Sequence, residues 1–159
     1  MEADWKDART ELLYTEGLRT LDQQQSVLES IHGRSGVLFG AAAIATSFLA
    51  GLALDGGKLD GWGWVATICF IGVGVFCTMI LWPTGEWKFR SNTKKLARDY
   101  LDTEPPASIA EIHRDLALHV ENWAEKNEKK LQKRFYFFQA ASLLLGLEVF
   151  LWIIDLSRR

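Results

Sequence analysis

Three windows of this chain are almost free of charge: 36–54, 62–82 and 135–154, of 19, 21 and 20 residues. A bilayer core takes about 20 apolar helical residues, each rising 1.5 Å. The helix of a soluble core is usually shorter and keeps polar residues along one side. The second window, WGWVATICFIGVGVFCTMILW, has no polar side at all. Mean hydropathy over the chain averages to zero, because these windows are offset by charged segments between them. The expected fold class is therefore an all-α integral membrane protein, with three transmembrane helices and cytoplasmic helical extensions. Its expected parts are a cytoplasmic amphipathic helix at 1–35, spans at 36–54, 62–82 and 135–154, and a cytoplasmic helical segment at 83–134.

The first window does not read as a cleavable signal, which would begin near the N-terminus behind a short basic region. Here an acidic segment of 35 residues precedes it. The only cysteines, Cys69 and Cys77, both fall in the second window and imply no disulfide framework.

Lys and Arg near the spans set the orientation. Segment 1–35 carries four and segment 83–134 carries eleven; three spans put both on one side, with fifteen basic residues against three. The N-terminus is thus expected in the cytoplasm and the protein in a plasma membrane. Aromatic residues fit two headgroup zones: Trp62, Trp64 and Trp152 at the outer one, and Trp82, Trp87, Phe89, Phe135 and Tyr136 at the inner one.

Outside the spans the pattern is helical. Tyr14, Leu18, Leu21, Gln25, Leu28 and His32 recur at steps of four and three, a heptad seam with two polar positions. The loop LDGGKLDG at 54–61 forces a tight hairpin between the first two spans. The TEPP break at 103–106 ends a helix over 86–101. Ser108 and Glu111 have capping-box spacing and start the next helix, which continues into the third span as one rod.

Four groups of residues are candidates for function. Gly36, Gly40, Ala43, Ser47, Ala50 and Gly51 lie near one side of the first span. Small residues let helix backbones approach in lipid, which supplies no hydrophobic drive for association. This side packs either on the second span of the same subunit or on another subunit; Gly36, Gly40, Ser47 and Gly51 are the assembly candidates. Glu148 is the only formal charge well inside a span, and an intramembrane carboxylate is costly. Gln139 lies almost opposite Glu148 on the same helix. The juxtamembrane basic residues Lys88, Arg90, Lys94, Lys95 and Arg98 fit anionic lipid headgroups or a phosphate-bearing ligand; Arg90, Lys94, Lys95 and Arg98 are the ligand-binding candidates. Lys126, Lys129, Lys130, Lys133 and Arg134 form a second basic cluster, also read as a headgroup contact.

No GxxxxGK[ST], HExxH, GxSxG or CxxC pattern occurs. His32, His113 and His119 lack ligand spacing. We expect no enzyme, no cofactor, no metal and no catalytic residue. With a net charge of −2 and its basic residues beside the membrane, the chain is not expected to bind nucleic acid.

The order of parts resembles a known family: a cytoplasmic helix, a turn into the first span, a tight hairpin, a basic juxtamembrane helix and a long charged helix entering the last span. It resembles the small transmembrane effectors of bacterial anti-phage systems paired with a pyrimidine cyclase, the Pycsar transmembrane effectors. Arg34, Ser35, Gly36, Val37 and Leu38 match the way their first span begins: a basic residue, a small residue, then aliphatics. HVENWAEKNEKKLQKRFYFFQAASLLLG at 119–146 is similar to their approach to the last span. The resemblance implies a dormant inner-membrane protein, triggered by a cyclic pyrimidine nucleotide such as cCMP or cUMP. Once triggered, it would form a homo-oligomer, impair membrane integrity and abort infection. The alternative is a constitutive membrane scaffold or accessory subunit with no triggered activity. A holin-like protein ranks third, because holins rarely carry so large a cytoplasmic part.

Overall fold

The computed structural model describes residues 2–55, 57, 59–83, 87, 89, 98, 100 and 107–158. Three long helices dominate: α1 (Glu2–Asp55), α2 (Gly61–Leu81) and α3 (Ile109–Ser157). No strand occurs among the described residues. All three helices are long and apolar enough to cross a membrane. α1 runs through Gly33 and Gly36 without interruption, although each glycine costs about 1 kcal/mol relative to alanine in a helix. In lipid a broken turn would leave backbone groups with no water to bond, so the helix is the cheaper state.

The hairpin between α1 and α2 is short. Gly57 takes φ +100°, a left-handed value that favours glycine, and its N–H donates to the Leu54 carbonyl at 2.8 Å. At the other end of α2, the Trp82 N–H donates to the Thr78 carbonyl at 2.9 Å. Pro83 follows and cannot continue the ladder.

The chain divides into two compact units. The first comprises Met1–Leu28 and Thr84–Leu131. Its core is Leu21, Val120 and Ala124, flanked by Tyr14 and Trp123. Gly17 allows the close approach: a Cβ there would lie 2.9 Å from Val120 Cγ1. Tyr14 stacks on His113 with ring centroids 5.8 Å apart. Ser108 and Glu111 form the expected capping box, with Glu111 N–H donating to Ser108 Oγ at 3.3 Å and Ser108 N–H to Glu111 Oε2 at 3.0 Å. The Ser108 N–H, and then the Ser108 hydroxyl donating to the same Oε2 at 2.8 Å, hold the Glu111 carboxyl below its ordinary range.

The second unit comprises Glu29–Pro83 and Gln132–Arg159 and contains all three charge-poor windows. One core cluster joins Ala53, Ala66, Cys69, Leu151 and Trp152; the other joins Ala42, Val73, Cys77 and Ala141. Phe39 stacks on Phe70, and Phe76 meets Phe137. The outward residues are apolar as well: Val37, Ile44, Phe48, Ile68, Leu143 and Phe150 are all more than half exposed. Water would not tolerate so continuous an apolar surface, whereas lipid matches it.

The seam on α1 differs from the one expected. Leu21, Gln24, Leu28, Ile31, Ser35 and Ala42 are buried, while Gln25 and Leu18 are exposed and His32 is half-buried. The residue shared by the two frames at step 24/25 is polar either way, so hydropathy alone did not choose between them. Gln24 is held inside because its side-chain N–H₂ donates to the Ala124 carbonyl at 2.9 Å.

Candidate functional site

The buried charged residues of the second unit lie on one side of α3. Arg134, Ala141, Glu148 and Asp155 recur every seven residues, and all four are buried. A repeat of seven keeps one side of a helix against its neighbours. From Arg134 to Asp155 is 21 residues, about 31 Å at 1.5 Å per residue. α2 is also 21 residues long, and the two charges meet its two ends.

Arg134 reaches the C-terminal end of α2. Its Nη1 donates to the Ile80 carbonyl at 2.5 Å and its Nη2 to the Trp82 carbonyl at 3.0 Å. Carbonyls in a last helical turn lack partners within the helix and carry its negative pole, so a cation is favoured there. Arg134 also donates to His32 Nε2 on α1. The guanidinium thus ties together all three helices. This corrects the sequence reading of Arg134 as a headgroup contact: it is 6% exposed.

Asp155 reaches the opposite end. Its Oδ1 accepts from the Gly63 N–H at 3.2 Å, one of the unpaired donors of the first turn of α2. Asp60 sits at the N-cap position but makes no side-chain cap; the carboxylate comes from α3 instead. Gly63 makes room for it. A Cβ there would meet Leu59, Trp152 and Asp155 at 3.1, 3.3 and 3.4 Å. Arg158 lies over the Trp62 ring, 5.2 Å from its centroid. Trp152 is not an interfacial anchor, as the aromatic pattern led us to expect; it is fully buried against Ala53 and Ala66.

Between the two ends sits Glu148, also fully buried. Thr46 Oγ1 on α1 donates to its Oε1, and its Oε2 has no hydrogen-bond partner among the described residues. Gln139 is exposed, as its nine-residue spacing from Glu148 requires. Toward the Arg134 end, Ser35 donates to the Ile31 carbonyl at 2.7 Å, and the Cys77 thiol points at the Ser35 carbonyl, 3.6 Å away.

The four assembly candidates of α1 lie on its outer side. Gly36, Ser47 and Gly51 are exposed and Gly40 is half-buried. A Cβ built at Gly36, Gly40 or Gly51 would meet no atom within 4 Å beyond its own stretch of helix, among the described residues. Among the residues α1 turns inward are Ser35, Ala42, Thr46 and Ala53, and Ala50 packs beside Ala53.

Of the basic candidates, Arg90, Lys94 and Lys95 lie outside the described residues, and Arg98 is exposed. Trp87 stacks on Phe89, and Lys130 lies over Trp87, 5.7 Å from its centroid. The first unit holds a groove of about 380 Å³ whose lining includes Leu13, Gly17, Leu118, Glu16, Arg114 and Glu121. Two carboxylates against one guanidinium make it a poor receptor for a phosphate. Among the described residues no group of three or more His, Cys, Asp or Glu is placed to hold a metal ion.

Arg134 and Asp155 are the helix-end anchors that the sequence reading missed. The signal was present: charges three heptads apart, flanking a span of the same length. Compared with protein-family models, with curated proteins and with solved structures, the chain matches none.

Proposed function

We propose that this chain is a membrane effector of bacterial anti-phage defence, which assembles through α1 and breaches the inner membrane when a cytoplasmic signal arrives. The observation that carries this reading is the open small-residue side of α1. A Cβ on Gly36, Gly40 or Gly51 would meet none of the other described residues within 4 Å and Ser47 is exposed, in a helix apolar enough to cross a membrane. Small residues in such a helix favour close helix–helix contact, and the second copy of the chain is the helix that covers them. The trigger is a cyclic pyrimidine nucleotide, cCMP or cUMP, read by Arg90, Lys94, Lys95 and Arg98. The excess of Lys and Arg in 1–35 and 83–134 supports a cytoplasmic N-terminus. Ligand binding acts by favouring the assembled packing over the separate one.

The test is membrane potential, read with a voltage-sensitive dye in bacteria expressing the protein with and without a cyclase that makes cCMP or cUMP. Depolarisation only with the cyclase supports the reading. Its absence in both cases, with the protein verified in the membrane, moves the assignment to a constitutive scaffold. One feature favours that second reading: α2 is tied at both ends, as in a bundle built to stay as it is.

A further inference from the structure

The contact between Arg134 and His32 dictates a protonation state. A guanidinium has only N–H donors and no acceptor. His32 Nε2 faces Arg134 Nη1 at hydrogen-bond distance, so it must offer its lone pair, and the proton of the neutral ring sits on Nδ1. Protonation of Nε2 would turn the contact into two donors and two positive charges. The same guanidinium holds the Ile80 and Trp82 carbonyls, so whatever displaces it also releases the end of α2. We propose that the His32–Arg134 contact is an acid-released latch: a proton taken up by His32 removes the acceptor, repels Arg134 and loosens the end of α2 from α1 and α3.

Histidine is the side chain whose ordinary titration falls in the physiological range. Here burial and then the Arg134 cation lower the His32 value from 6.5, while the Ile80 carbonyl on α2 and the Glu29 carboxylate on α1 oppose them; the net direction is down. Among the described residues, Glu29 and Arg134 are the charged groups acting on this ring, and α2 contributes the carbonyl alone. The native state therefore binds this proton less readily than the unfolded chain. By linkage the latch contributes its full stability above pH 6.5 and loses it as the pH falls below that value. Acidification of the compartment at this end is the condition it reads.

The test measures fold stability rather than membrane damage, so its outcome does not depend on the effector reading. The full chain in detergent micelles is melted at pH 7.5, 6.5 and 5.5, beside His32→Gln and His32→Lys. Glutamine keeps an oxygen that accepts from Arg134 and does not titrate; lysine supplies a permanent cation. Wild type and His32→Gln should melt together at pH 7.5. By pH 5.5 wild type should fall roughly 3–6 °C further than His32→Gln, and His32→Lys should already be lowered at pH 7.5. Parallel slopes for wild type and His32→Gln would overturn the proposal, because His113 and His119 are common to both. If His32→Gln does not fold, amide exchange over 78–82 in wild type decides, corrected for the intrinsic rate. Lost protection between pH 7.5 and 5.5 supports the latch, and unchanged protection overturns it.

Discussion

Two helices of this chain carry glycines inside their apolar windows and use them in opposite ways. In α2, a Cβ on Gly63, Gly72 or Gly74 would come within 2.9–3.3 Å of Leu59, Leu144 or Phe39 respectively; these glycines are filled by the chain itself. In α1, a Cβ on Gly36, Gly40 or Gly51 would meet none of the other described residues within 4 Å. Composition marks both helices as suited to close packing. Only the geometry separates a contact already made from one left open. α2 turns these glycines into the bundle and is anchored at both ends, whereas α1 carries glycines that no other side chain among the described residues reaches.

That contrast can be broken at several points. The largest effect should come from Arg134→Ala, which strands the Ile80 and Trp82 carbonyls. We expect a stability loss of about 3 kcal/mol, since bonds to charged groups are the stronger class, read as a lowered melting temperature in detergent. Gly63→Leu should follow at about 2 kcal/mol, because overfilling a packed site forces neighbours to shift and here it also pushes Asp155 off the helix end. Asp155→Asn keeps the shape and removes the charge at the first turn, for a loss of about 1 kcal/mol. Gly40→Leu closes the series: the melting temperature should stay within about 0.5 kcal/mol equivalent of wild type, while chemical crosslinking between copies and cyclase-dependent depolarisation are lost. If Gly40→Leu were as destabilising as Gly63→Leu, the distinction between the two helices would collapse.

The all-helical fold with three apolar helices was legible in the sequence because charge-free windows of bilayer length leave few alternatives. The capping box at Ser108 was legible for the same kind of reason, a short-range pattern with one local solution. Registers were harder. Gln24 and Gln25 are chemically identical, and the one that goes inside is chosen by a carbonyl 100 residues away, that of Ala124. Arg134 looked like a continuation of the Lys126–Lys133 series, since neighbours in sequence share composition; its burial depends on where α2 ends. Trp152 looked interfacial from its place near a span terminus, yet Ala53, Ala66 and Gly63 leave it an internal slot. In each case the missing information was the chemistry of a distant backbone.

The matched spacing of Arg134 and Asp155 has a consequence for bilayer thickness. A membrane thinner or thicker than its hydrophobic length is usually met by tilt, by local bilayer distortion or by neighbouring helices shifting. Here α3 cannot slide along α2 by even one turn, about 5.4 Å, without withdrawing the cation from one pole and the carboxylate from the other. α2 and α3 must therefore answer a change in thickness by tilting together, and the span they share acts as a ruler of fixed length.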